Sequence, residues 1–288
     1  MVKRRRKNTN GMLMWISIGV VVVVVLAIVL VTTLSSSGLE QTYFGPTSPT
    51  ILQEVQNVPA SVFDTVGVTS SIPVVPLSIP TKAQPALTFK VGTKKLPGAF
   101  YFGAEFCPYC AATRWGIIVA LSRFGHFNTL YNMLSASNDV APNTESFSFV
   151  GKKPTDVVTY TSKYFVFKTY EVEDRNHKTF QTVTKQISPL LTSYDTDPQT
   201  GGLSFPFMDM GNHVFIVTSE FPPESLAGNS RASIASSLTD PSIPTTQAII
   251  TLANYVSAGI CALTKSQPTT VCHSSGVKAA ATAIHLKL

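Results

Sequence analysis

Two cysteines separated by two residues, in the run Cys107-Pro108-Tyr109-Cys110, are the side chains of this chain best placed to do chemistry. On the first turn of a helix, their sulfurs lie on one face and reach each other. Backbone N–H groups and the helix dipole at that end favour a thiolate. Pro108 suits the first helical position, where no N–H is needed. The chemistry is thiol–disulfide exchange. Cys107 is the attacking or attacked sulfur, and Cys110 resolves the mixed disulfide. Two other uses of the spacing stand beside this one. Half a zinc site needs a second close pair, and Cys261 and Cys272 are too widely spaced to supply it. A fixed structural disulfide between Cys107 and Cys110 is the third reading.

The elements that must position this pair can be taken from the pattern around it. The apolar run at 97–103 reads as a buried strand, preceded by an alternating strand at 87–91 and a turn. After Cys107, Trp115, Ile118, Val119 and Leu121 carry helical spacing, with Gly125 as the stop. Short strands are expected at 130–134, 147–150 and 164–172, and a helix-period pattern covers 180–194. Phe205-Pro206 heads an apolar stretch that a Gly211-Asn212 turn joins to 213–218, which reads as a hairpin. Helical segments follow at 223–227, 231–238 and 245–265. The residues after Cys272 are Ala-rich, with little to anchor them.

Composition bounds the function further. The net charge of +6 invites a nucleic-acid reading, but Lys3, Arg4, Arg5, Arg6 and Lys7 account for nearly all of it. No basic face is left to neutralise phosphates. That basic cluster (1–11) precedes an uncharged apolar run at 12–34, long enough for the roughly 20 residues a membrane span requires. The positive flank places the N-terminus in the cytoplasm and the remainder outside. A cleaved signal peptide is the alternative, although its apolar region is typically shorter, ~7–15 residues. Residues 35–50, rich in Ser, Gly, Thr and Pro, read as a tether. Either way the cysteines face an oxidising compartment. There Cys261 and Cys272, which close a short loop around Pro268, read first as a structural disulfide.

The order of strand, CxxC helix, intervening region, Pro-led hairpin and helices is the thioredoxin plan. The expected fold is therefore α/β and thioredoxin-like over 51–272, with an insertion at about 138–204, one transmembrane helix before it and a tail at 273–288. Thioredoxin-like proteins place a cis-proline opposite the CxxC, so Pro206 is expected to be cis and, with Phe205, to receive substrate. The strings FGAEFCPYCAATRW, ALSRFG, NTESFSFVG, PFMDMGN and AGICALT…QPTTVC resemble domain-of-unknown-function family 929, whose members look like membrane-anchored thioredoxin-like proteins. More distantly the arrangement is similar to the periplasmic thiol oxidase DsbA.

The resemblance implies a thioredoxin-like fold and brings no established substrate. The CxxC motif, its flanking elements and the oxidising compartment point to an extracytoplasmic thiol–disulfide oxidoreductase that forms, reduces or isomerises disulfides in exported cysteine-containing proteins. Its redox group is its own disulfide, with no cofactor or metal. A quinone-linked membrane oxidase or a membrane reductase is the expected redox partner. The alternative is a non-enzymatic thioredoxin-fold assembly module with a fixed CxxC. Two modulators stand out. Tyr109 fills the variable position of the motif. Glu105, two residues before Cys107, reads equally as a proton relay or as an ordinary exposed loop acid. Many thioredoxin-like proteins carry a buried acid six residues before the first cysteine, where this chain has Tyr101. Arg114 could stabilise a thiolate but reads better as part of a solvated helix face, and Trp115 reads as core.

Overall fold

The computed structural model describes residues 45–80, 82, 84–196 and 199–288. The basic N-terminus, the apolar run at 12–34 and most of the expected tether lie outside the described residues.

In chain order the helices are α1 (Pro49–Gln56), α2 (Ala60–Val66), α3 (Pro108–Leu121), α4 (Ser188–Tyr194), α5 (Arg231–Ser237), α6 (Pro244–Leu263), α7 (Thr269–Cys272) and α8 (Ser275–Ala283). The strands are β1 (Thr88–Val91), β2 (Lys94–Gly103), β3 (Gly125–Phe127), β4 (Tyr131–Leu134), β5 (Glu145–Ser148), β6 (Tyr160–Ser162), β7 (Val166–Glu171), β8 (Phe207–Met210) and β9 (Val214–Ile216).

The fold is a mixed α/β arrangement built on β2. Its charged first half pairs antiparallel with β1. Its apolar second half lies between β7, which runs parallel to it, and β8, which runs antiparallel and continues into β9. A strand with neighbours on both edges and layers on both faces must be apolar throughout, and 99–102 is. The alternation of side chains sorts that run into two cores. Ala99 and Tyr101 join the larger core, which contains Trp115 and Ile118 of α3 and Ile249, Leu252 and Val256 of α6. Phe100 and Phe102 join the smaller core with Ile187, Leu191, Phe207 and Phe215.

Helix α3 is buried along almost its whole length because α6 covers it. The two backbones approach closely at Gly116, where a Cβ would lie 2.5 Å from Leu252 Cγ. Helix α6 has 20 residues and a mean hydropathy of 1.3, enough by length and composition to cross a membrane. Its apolarity is used in this fold, where 89% of that window is buried against α3, α2 and α8.

Three expectations change. Residues 138–204 are not simply an insertion, because 166–171 of that segment is β7, hydrogen-bonded to β2 over six register pairs. The helical spacing at 180–194 gives helix only from Ser188, with Pro189 in its first turn. The segment after Cys272 is not a loosely anchored tail. It forms α8, which buries Val277, Ala280 and Ala281 and receives Asp64 Oδ1 at the Gly276 N–H, 2.9 Å away.

Candidate active site

Cys107 is the N-cap of α3. Its Sγ accepts the Cys110 backbone N–H at 3.3 Å, and Pro108 occupies the first turn. A thiolate formed at Cys107 would sit where the unsatisfied N–H groups of the helix begin. Both cysteines carry free thiols; Cys107 is 4% exposed and Cys110 fully buried. The two differ in acidity. Hydrogen bonding from Cys110 lowers the Cys107 pKa against the cost of burial, with the Arg114 charge helping. Burial pushes Cys110 well above the ordinary thiol value, and the neighbouring Cys107 pushes the same way. The two thiols therefore differ in how readily they ionise.

Arg114 is not on a solvated face. It lies four residues after Cys110, one turn along the same side of α3, and it is fully buried. Its Nε and Nη2 donate to Glu171 Oε1 and Oε2 at 2.9 and 2.7 Å. Nη2 also donates to the Ala104 carbonyl at 2.8 Å. Glu171 ends β7, so this fork ties the CxxC helix to the parallel strand. The guanidinium lies 5.6 Å from the centre of the Tyr101 ring.

Glu105 is likewise not an exposed loop acid. It is buried, and its Oε1 accepts the Ser148 hydroxyl at 2.7 Å. Burial, reinforced by the nearby charge of Glu171, raises its pKa to about 8. It is protonated at neutral pH and bonded to Ser148, not to either cysteine. Tyr101 fills the space above Gly103, where a Cβ would collide with the Tyr101 hydroxyl. That hydroxyl is buried without a hydrogen-bond partner, and the Cys110 thiol is near enough to raise its pKa further.

The rim is aromatic. Phe205 and Phe106 pack against the cluster of Ala104, Cys107 and Cys110. They meet edge-to-face at 5.6 Å, and Phe106 also faces the His177 ring at 3.8 Å. The Phe205–Pro206 peptide bond is cis, and Pro206 leads directly into β8, the neighbour of β2. Tyr109 is 41% exposed. Cys261 and Cys272 are bonded to each other, with Cα atoms 5.5 Å apart, and join the end of α6 to α7.

The fold thus gathers Cys107, Cys110 and Phe205 into one cluster, places Glu105 behind it and leaves Tyr109 outside. The sequence named Arg114 but favoured a solvated face for it, and it did not point to Glu171 or Ser148. The spacing of Arg114 from Cys110 was a usable signal. Glu171 and Ser148 gave none, since each sits on a short strand whose pairing is set far away in sequence. Among the described residues no three His, Cys, Asp or Glu side chains converge.

No curated protein and no solved structure matches the chain. The same residues that build β2, the dithiol helix, the cis-proline hairpin and most of α6 fall within 89–262, which match the family model described as Domain of unknown function (DUF929), and the chain belongs to that family.

Proposed function

We propose that this chain is an extracytoplasmic, membrane-anchored thiol–disulfide oxidoreductase with a thioredoxin-like fold, acting on exported cysteine-containing proteins through Cys107 and Cys110. The observation that carries the reading is the inequality of the two thiols. Cys107 caps α3 with a lowered pKa, while Cys110 is buried one turn away with a raised one. The thioredoxin-like reading draws support from β2 leading into the CxxC helix, the parallel β7 beside it, and the cis Phe205–Pro206 bond at the head of an antiparallel hairpin. In that reading the inserted material shrinks to the segments on either side of β7.

Read in the reducing direction, the Cys107 thiolate attacks a substrate disulfide. One S–S bond breaks, a mixed disulfide forms, and the departing thiolate takes a proton. Cys110 then loses its proton and attacks Cys107 Sγ, which frees the second substrate thiolate and leaves the Cys107–Cys110 disulfide. Two electrons have passed to the substrate. The reverse sequence forms a substrate disulfide. A quinone-linked membrane oxidase or a membrane reductase would reset the centre.

The test uses the full-length protein in detergent, assayed for insulin reduction and for oxidation of a reduced, unfolded substrate. Cys107→Ser abolishes both activities, and Cys110→Ser accumulates mixed disulfides visible on non-reducing gels. A wild-type protein inactive in both assays ends the proposal. The burial of both sulfurs favours a second reading, a thioredoxin-fold assembly module in which the pair is a staple. A reduction potential below about −300 mV, the range of structural disulfides, would select it.

A further inference from the structure

Arg114, paired with Glu171, puts a buried cation one helical turn from Cys110 that neither the CxxC motif nor the helix end supplies. Buried ion pairs contribute little net stability, because desolvation offsets their attraction and apolar replacements of similar size do as well. A stability role therefore explains this pair poorly, and its orientation suggests another. Glu171 and the Ala104 carbonyl hold Nε and Nη2, while Nη1 is buried with no hydrogen-bond partner. The positive end of the pair is on the helix that carries the sulfurs, and its field favours the thiolate at Cys107 and at Cys110 alike. The acid beside the pair, Glu105, is buried and hydrogen-bonded to Ser148. It keeps its proton at neutral pH and leaves the arginine charge uncancelled from that side.

A cation near the sulfurs acts on one redox state only. The disulfide is uncharged and gains little from it, whereas the reduced form contains the thiolate. Stabilising the reduced form makes the disulfide the stronger oxidant.

We propose that Arg114 poises the Cys107–Cys110 centre as a disulfide donor whose substrates are reduced dithiols in polypeptides folding outside the cytoplasm. This rests on the exchange reading above. A substrate thiolate attacks Cys107 Sγ of the oxidised protein, the Cys107–Cys110 bond breaks, and Cys110 leaves as a thiolate facing the Arg114 charge before it takes a proton. The second substrate thiolate then attacks the substrate sulfur of the mixed disulfide and expels the Cys107 thiolate. Two electrons have moved from the substrate dithiol to the pair. Arg114 is a positioning charge in this scheme, acting through Cys110.

The test is the equilibrium of full-length protein with glutathione redox buffers, read by alkylation of free thiols. Arg114→Gln is expected to shift that equilibrium at least tenfold toward the Cys107–Cys110 disulfide, a fall of about 30 mV in potential. Glu171→Gln, which removes the compensating charge, is expected to shift it the other way. Opposite signs separate an electrostatic role from lost packing, which would move both variants together. A folded Arg114→Gln protein with unchanged equilibrium, or two variants that shift in the same direction, overturns the proposal. If neither variant folds, the Cys110→Ser protein decides. Its Cys107, titrated by thiolate absorbance, must ionise below the ordinary thiol value of about 8.5, and a value at or above that overturns the proposal. Each of these failures leaves exchange by the wild type standing; only a wild type inactive in the exchange assays removes the reading beneath it.

Discussion

The two cysteine pairs are made of the same atoms and sit in opposite surroundings. Cys261 and Cys272 belong to the large apolar core and are bonded to each other. Cys107 and Cys110 form a small separate cluster with Ala104, Phe106 and Phe205, carry free thiols, and lie over Arg114, Glu171 and Glu105. In the first pair both sulfurs lie fully inside the core, so reduction leads to two buried thiols. In the second, a helix N-terminus and a fixed cation stabilise one thiolate while burial keeps the other protonated. In the proposed exchange reading, what separates a staple from a reactive centre is the support available to the reduced form, more than the bond itself.

The comparison breaks first if the two pairs exchange roles. Replacing Cys261 and Cys272 together by Ala reopens a short loop, which by chain-entropy arithmetic costs about 3 kcal/mol. The expected result is a clearly lower melting temperature with an unchanged exchange rate per folded molecule. Loss of exchange in a protein that is still folded would show that the second pair relays electrons to the first.

The opposition between the pairs was half visible in the sequence. The CxxC, the apolar strand before it and Phe205-Pro206 could be placed because each has a local pattern: a spacing, a hydrophobic run, a proline after a polar loop. Strand β7 was also visible as an alternating segment, but its place beside β2 was not, since parallel pairing across more than sixty residues leaves no mark on either strand. The support for the thiols failed for the same reason. Arg114 and Glu105 look like surface charges until Glu171 and Ser148 arrive from other strands and make their burial tolerable. The Ala-rich end lacked a wide apolar stripe because small residues suffice for the close packing of α8 on α6.

Glu105 sharpens the comparison at a smaller scale. Its carboxyl has a pKa of about 8 in the folded protein against an ordinary value of 4.5. Between those values the unfolded chain ionises this group while the folded protein keeps it protonated, so stability falls as pH rises through the window. Asp195, raised to about 8, and Asp209, raised to about 7, act in the same direction. Glu105→Gln resembles the protonated acid and removes the Glu105 share. Thermal melts of variant and wild type should agree near pH 5 and separate by up to a few kcal/mol, in favour of the variant, above pH 8. Curves that stay parallel across the range would show that Glu105 is ionised in the fold, and would place a negative charge beside Arg114.

The smallest expected effect is the most local. The Tyr101 hydroxyl is buried without a partner beside Cys110, an arrangement that ordinarily costs about 1–3 kcal/mol. Removing it in Tyr101→Phe should therefore leave the melting temperature unchanged or slightly higher. The hydroxyl has one candidate acceptor in the cycle, the Cys110 thiolate that appears when the disulfide opens. If it donates there, Tyr101→Phe slows the opening of the Cys107–Cys110 bond by a few-fold in stopped-flow assays, with no loss of stability. A variant unchanged in both rate and stability makes Tyr101 packing alone and leaves Arg114 and the Ala104 backbone as the polar support of that sulfur; a variant slowed but not destabilised adds a second way in which this pair differs from Cys261 and Cys272.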